Sequence, residues 1–305
     1  MDIKIYKKSL KDRYLLKLEE PEPGSWIFIQ NFSKDDIDIL NEKFNLNKHN
    51  IEDVIDEFTQ PRLEIVNDTL YVFLKIPYAE NKEIKLPPIL IILTPQYIFT
   101  IFYKSTDIFN PIIENKIISN TTQKTKFFLL KLSLINKAYH SLVNNLLKKS
   151  EEFYSSIYYE ISDQKIIELS KLETLLSTTL SALITIYKVY EKLLFKKYLD
   201  FLQEEKSNVD DLSFDMLELI EIIRSNAKRL KIIKDNYQMI INQSTNKRVL
   251  TLTIITIVLF IPTIIFSFFG MNLDLPFQNN KWSAIFILAF SCVLSILTYF
   301  WFKIK

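Results

Sequence analysis

The residues able to do chemistry in the C-terminal third of this chain are few and unusually placed. Phe269-Gly270-Met271-Asn272 closes one long uncharged run and lies just ahead of a second. Gly270 is one of only 2 glycines in the sequence. It sits where a membrane helix must stop, and its scarcity predicts a required backbone conformation there rather than loop filler. Within the preceding run, Thr253, Thr256, Thr263 and Ser267 make a less apolar side, extended by Asn242 and Asn246. Two readings of that side stay open: the hydroxyls bond their own helix carbonyls or serve helix contacts, or the side faces an axis shared with other copies. Acid–base and nucleophilic chemistry find little footing. His49 and His140 are the only histidines, and Cys292 is the single cysteine. No nucleophile motif, phosphate loop or metal-ligand spacing is present, so an enzyme is the class least supported.

Two elements must position these groups. Val249–Phe269 and Trp282–Phe302 carry no charged residue, and each is about 20 residues long, enough to cross a bilayer core. Lys247 and Arg248 precede the first span, and Lys303 and Lys305 follow the second, while the connection holds only Asp274 and Lys281. The positive-inside rule then places both termini in the cytoplasm and the loop outside, in a cell membrane. The N-terminal stretch has alternating charges and no apolar core of signal-peptide length, so the large N-terminal part is expected to stay cytoplasmic. Two spans cannot enclose a pore alone; conduction requires several copies about an axis, with closed cyclic symmetry.

The rest of the 305 residues reads as α+β. Short β-branched and aromatic runs separated by Pro21, Pro23, Gly24, Asn67-Asp68, Pro77, Pro87-Pro88 and Thr94-Pro95 predict one mostly antiparallel sheet. Ser33 caps a helix to Phe44, and a second short helix follows from about Asn50 to Phe58. From about Asp107 the pattern turns helical, with segments near 107–119, 124–160 and 163–202, and these helices are expected on one side of the sheet. After a polar break over Gln203 to Asn208, a helix beginning near Asp210 has no proline or glycine before Pro262. It would exceed about 70 Å and needs neighbours for support. The expected division is a cytoplasmic sheet-plus-helices domain (1–209), a stalk helix (210–248), a first span (249–269), an external loop (270–281), a second span (282–302) and a basic tail (303–305). Net charge is +2, from 38 basic and 36 acidic residues, which gives no argument for nucleic acid; no protein partner beyond further copies of the chain is inferred.

These residues resemble the CorA family of magnesium transporters. Phe269-Gly270-Met271-Asn272 is similar to that family's Tyr-Gly-Met-Asn signature, and Ile261-Pro262-Thr263-Ile264-Ile265 to the proline segment before it. Ile51-Glu52-Asp53-Val54-Ile55 with Pro61-Arg62-Leu63-Glu64 resembles a recurring part of the family's N-terminal domain. The likeness in domain order covers essentially the whole chain. It implies a funnel-shaped homopentamer in the bilayer, with five first spans lining a pore and second spans forming an outer ring. Gly270, Met271 and Asn272 would form the outer mouth, with Asn272 toward the axis, where a ring of neutral amide oxygens can hold a hydrated magnesium ion without stripping it. The resemblance also places Asn246, Val249, Leu252, Thr256, Phe260 and Thr263 toward the axis, with Val249 and Leu252 as an apolar gate.

In that family, intracellular magnesium bridges carboxylates between subunits and holds the pore shut. Asp210, Asp211, Asp215 and the more distal Asp235 are the candidates here, alongside Glu218 and Glu221; each also reads as an ordinary solvated acid. The chain departs from the family pattern at Phe269, where Tyr is usual, and in the loop, where Leu275-Pro276-Phe277 lacks a glutamate and Asp274 supplies the charge. Met271 favours the magnesium branch over the zinc branch. The expected function is magnesium influx, with cobalt or nickel as further cargo; a proton-coupled or zinc-moving relative and a non-conducting membrane-anchored sensor are the alternatives.

Overall fold

A computed structural model describes residues 1–80, 83–157, 163–195, 198–271 and 282–304. The chain forms two compact units, Met1–Ile232 and Ile233–Lys305. The first is built on a seven-stranded sheet: β1 (Asp2–Lys7), β2 (Leu16–Leu18), β3 (Trp26–Gln30), β4 (Arg62–Val66), β5 (Thr69–Lys75), β8 (Pro88–Leu93) and β9 (Ile98–Phe102), in the order β2-β1-β3-β9-β8-β5-β4. Only β3 and β9 pair in parallel; the other neighbours are antiparallel. A separate hairpin joins β6 (Tyr78–Glu80) to β7 (Glu83–Lys85). Asn67 and Asp68 both take positive φ, 50° and 57°, which is what a two-residue hairpin between β4 and β5 demands. Gly24 is at φ +85°, and a side chain there would come within 3.0 Å of Thr122 Cγ2, so conformation and space both require glycine.

Every residue of β3, β8 and β9 is buried, so these strands are covered on both faces. Ile27, Ile29, Tyr71, Phe73, Leu90, Ile92, Phe99 and Ile101 pack with Ile37 and Leu40 of α1 (Ile37–Phe44) and Ile51 of α2 (Lys48–Glu52). The alternate residues face the other way: Trp26 and Phe28 meet Phe109 and Trp26 also meets Phe127 edge-on, with ring centroids 5.4–6.2 Å apart. Helices therefore lie on both sides of the sheet. The helices from 107 onward share one side, as expected, and the short helices α1 and α2 cover the other, which the strands' unbroken apolar runs require.

The second cover consists of α3 (Asn110–Ile113), α4 (Lys124–Ile157), α5 (Asp163–Leu193) and the start of α6 (Gln203–Phe269). The first turns of α6 occupy the stretch expected as a polar break. Glu204 and Glu205 favour the positive end of a helix, and Glu205 accepts from the Leu202 amide at 3.0 Å, so the polar residues start the helix instead of interrupting it. Buried polar links tie these helices together. Tyr190 of α5 donates to Asn136 Oδ1 of α4 at 2.8 Å, and Asn136 donates to the Leu212 carbonyl of α6 at 3.0 Å. Farther along, Tyr154 donates to Asn226, which donates to Ser150.

The segment around Arg62 joins a helix layer to the sheet edge. Its guanidinium pairs with Asp53, just past α2, and with Glu64 of its own strand at 2.6 Å, and it stacks 3.8 Å over the Phe73 ring. Planar, forked and weakly hydrated, arginine is the cation suited to that combination.

Lys131 of α4 is fully buried against the sheet. Its amine donates to Thr100 Oγ1 at 2.8 Å and lies 4.7 Å from the Trp26 and Phe127 rings; among the described residues no carboxylate reaches it. Burial pushes the amine well below the ordinary lysine value of 10.5. The folded protein thus binds fewer protons than the unfolded chain, so stability rises with pH from the folded-state value up to about 10.5. Thr100 keeps a donor without the lysine, because Trp26 Nε1 also reaches it at 3.0 Å. Lys131→Met is therefore expected to raise the melting temperature of the full chain by about 2–4 °C near neutral pH, corresponding to about 1 kcal/mol. The gain shrinks toward pH 10. A lower melting temperature for the variant throughout that range would overturn this account.

Candidate functional site

In the second unit α6 runs to Phe269 and α7 spans Ser283–Ile304. The most apolar 18-residue window of α6 is 0% buried and that of α7 only 6%, so neither is the core helix of a soluble fold. α7 turns Ser283, Ile287, Ser291, Leu294, Ser295 and Thr298 inward, at helical spacing, and Ser291 and Ser295 are buried. On α6 the partly covered residues are Ile254, Ile257, Val258, Ile261, Pro262 and Ile265. Small residues on one helix against branched residues on the other let backbones approach closely.

Pro262 explains a hydrogen bond between these helices. Proline has no amide proton, so the Val258 carbonyl, four residues earlier, loses its normal donor. Ser295 of α7 donates to that oxygen at 3.2 Å. The hydroxyls on the open part of α6 behave differently: Thr253, Thr256 and Thr263 each donate to the carbonyl four residues back, at 2.8–2.9 Å. Their protons are thereby used, while a lone pair on each oxygen stays available.

All six residues of the expected axial stripe, Asn246, Val249, Leu252, Thr256, Phe260 and Thr263, are exposed. At about 100° per residue they form one stripe roughly opposite the face that α7 covers. The structure thus brings the stripe together and leaves it open. At its end the Gly270 amide donates to the Phe266 carbonyl at 2.9 Å, ending the helix in a turn. Gly270 does not adopt positive φ, contrary to the expected conformational reason for glycine; a Cβ there would make a tight contact, 3.1 Å, with the Phe266 carbonyl. Met271 is exposed. Asn272 and Asp274 lie outside the described residues.

The acidic candidates separate. The start of α6, the start of α4 and residues 118–123 wall a cavity of about 510 Å³, into which Asp211 and Asp215 open together with Glu204 and Asn208. Lys126 of α4 enters the same cavity and lies 3.6 Å from Glu204. Asp210 is exposed and does not line it, and Asp235 is an exposed residue of the second unit. Among the described residues no group of three or more histidine, cysteine, aspartate or glutamate side chains could hold a metal ion within one chain. Glu204 escaped sequence reading because the break expected at 203–208 hid the three- and four-residue spacing of 204, 208, 211 and 215, and Lys126, on α4, reaches the cavity only through folding.

A family model for CorA-like Mg2+ transporter protein matches residues 22–303. The chain belongs to the CorA family. Its relatives include the cobalt/magnesium transport protein CorA of Thermotoga maritima, 23% identical over 95% of this chain and 85% of that protein. The cobalt/magnesium transport protein CorA of Methanocaldococcus jannaschii is 24% identical over 91% of this chain and 89% of the relative. The complete structure of the CorA magnesium transporter from Methanocaldococcus jannaschii superposes with a TM-score of 0.81, covering 99% of this chain and 98% of that one at 20% identity. The shared fold thus extends from the sheet through both apolar helices of a CorA protein.

The proline–serine relation is testable by a double-mutant cycle. Ser295→Ala leaves the Val258 carbonyl without a donor in hydrocarbon and should cost about 1–2 kcal/mol in thermal or denaturant unfolding of the full chain in detergent. In a Pro262→Ala background, where residue 262 again supplies an amide, Ser295→Ala should cost less than about half as much. Equal costs in the two backgrounds would show that the serine does not serve this carbonyl.

Proposed function

We propose that this chain forms a homopentameric channel carrying magnesium into the cell, with the α6 stripe facing a central axis and Asn272 of each copy at the outer mouth. The observation that supports it is the stripe from Asn246 to Thr263, aligned and left open on the side of α6 away from α7. Membership of the CorA family and the transport functions named for its relatives give the cargo; cobalt is a second cargo on the same ground, and nickel follows by similarity of charge and size. The assembly is funnel-shaped, sits in the cell membrane and has both termini in the cytoplasm.

Magnesium sheds its water reluctantly and demands near-ideal octahedral geometry. A ring of Asn272 amide oxygens, with the Gly270 carbonyl beside it, hydrogen-bonds the hydration shell and selects the hydrated ion, and Asp274 raises cation concentration near the mouth. Five carboxylates at that rim would hold the ion too tightly to release it. Below, Thr263 and Thr256 offer lone pairs, Phe260, Leu252 and Val249 narrow the path, and the last two close it by excluding water. Asn246 lines the inner entrance. The membrane potential drives entry at about 2.3 kcal/mol per charge per 100 mV, about 4.6 for a divalent ion. Inside, magnesium at Asp211 and Asp215 completes its coordination from a second copy and holds the pore closed, while Asp235 gathers cations below it.

Two measurements test this reading. Asn272→Ala should cut magnesium uptake at least tenfold, both in a magnesium-requiring host and in liposomes; undiminished uptake by an intact oligomer would remove the filter. Repeating the liposome flux with and without a proton gradient separates passive flow from a proton-coupled relative, and no flux at all leaves the sensor reading. For regulation, Asp211→Asn should raise the internal magnesium concentration needed for half-inhibition about fivefold or more, and Asp210→Asn, which does not face the cavity, should leave it near wild type. The reverse order would place the regulatory ion elsewhere.

A further inference from the structure

We infer that the α6 face bearing Ser244, Lys247, Arg248, Thr251 and Ile255 is a binding site for an anionic phospholipid. These residues line one shallow, open patch of about 410 Å³ within the second unit, with Leu252 of the axial stripe at its rim. Their spacing places them on a single side of the helix, between the face that α7 covers and the open stripe. The patch changes character along its length. Lys247 and Arg248 lie at the charged end, and Thr251 and Ile255 continue into the uncharged span, so a phosphate and the top of an acyl chain meet complementary surface in the right order.

The charge distribution supplies the second argument. No acidic residue occurs between Asp235 and Asp274, and none after Asp274. Asp235 is about 18 Å away from Lys247 along the helix at 1.5 Å per residue. Among the described residues neither Lys247 nor Arg248 pairs with a carboxylate in the same chain. Lys303 and Lys305 follow the second uncharged run in sequence, with no acidic residue beside them. Two unpaired cations on one helix face at a bilayer boundary, with no intrachain anion in reach, are satisfied by a lipid phosphate. Arginine supplies a bidentate fork for it and lysine a point charge. A water-soluble anion gains nothing from Ile255 and the uncharged span beyond it, so the apolar end of the patch selects the lipid. Thr251 donates to the Lys247 carbonyl at 2.9 Å, which fixes its hydroxyl as an acceptor and leaves the two cations to bind the phosphate.

This inference rests on the reading that both apolar helices span a membrane, and not on ion conduction. The test is native mass spectrometry of the full-length oligomer titrated with phosphatidylglycerol or with phosphatidylcholine of the same chains. Wild type should retain the anionic lipid preferentially. Lys247→Gln/Arg248→Gln should lose about 25-fold in that preference, about fivefold for each cation, while Lys247→Arg keeps it; matching oligomer mass and melting temperature show that the variants are folded. Millimolar inorganic phosphate should not displace the lipid. Equal retention of the two lipids by wild type, an unchanged preference in the double variant, or displacement by phosphate would each overturn the proposal. Loss of magnesium flux with lipid preference intact would instead count against the channel reading alone.

Discussion

Hydrocarbon offers no hydrogen bonds, so every backbone polar group inside a span must be satisfied from within the protein. That constraint accounts for most of what is specific in the second unit. A regular helix meets it residue by residue, and the threonines of α6 return their hydroxyl protons to their own helix. Pro262 breaks the pattern at one carbonyl, and the repair comes from Ser295 on the neighbouring helix. The proline therefore fixes more than the local backbone: it selects which face of α6 must meet α7. Once that face is committed, the side carrying Asn246, Leu252, Thr256 and Thr263 is the one left over.

The first unit solves a related problem with different means. Its sheet is apolar on both faces, and the helices above it are long, so packing alone leaves freedom for them to slide. Buried polar contacts with single acceptable geometries remove that freedom. Tyr190, Asn136 and the Leu212 carbonyl join three helices in one chain of hydrogen bonds, and Tyr154, Asn226 and Ser150 join α4 to α6 again. Burial pushes the Tyr139 hydroxyl upward as well, and it donates to the Lys75 carbonyl. Such groups are costly when half-satisfied and directional when fully satisfied. They hold the first part of α6, with its acidic face, in a set register against α4.

Much of this was legible from residue types alone. The two spans were, because nothing else explains two uncharged runs of that length, and so were the turns, because Asn67-Asp68 and Gly24 have few other uses. What failed was relational. The sequence places Lys126 and Glu204 far apart, and only folding shows them on one cavity with Asp211 and Asp215. The start of α6 was misplaced because polar residues at a helix N-terminus look like a break to any reading based on apolar spacing. Gly270 was singled out for its position and for a conformation it does not adopt: scarcity marked it, and what the structure shows there is a close approach, 3.1 Å, between a Cβ and the Phe266 carbonyl. Ser295 could have been found by asking which donor serves the carbonyl four residues before a membrane proline.

The absence of charge from 249 to 269 also limits how such a span can serve a divalent ion. A carboxylate there would gain strong attraction at low dielectric and would have to be desolvated whenever the site stood empty. Threonine oxygens and amide oxygens bind far more weakly and cost far less to leave vacant. Weak sites suit an ion that keeps its water, since they need only orient a hydration shell, and the drive from a potential of 100 mV, about 4.6 kcal/mol for two charges, is then enough to move it on. Strong sites belong where the ion is meant to stay. In this chain the carboxylates occur at the start of α6, outside the span, and the neutral groups within it, so the proposed regulation and the proposed passage fall to different stretches of one helix.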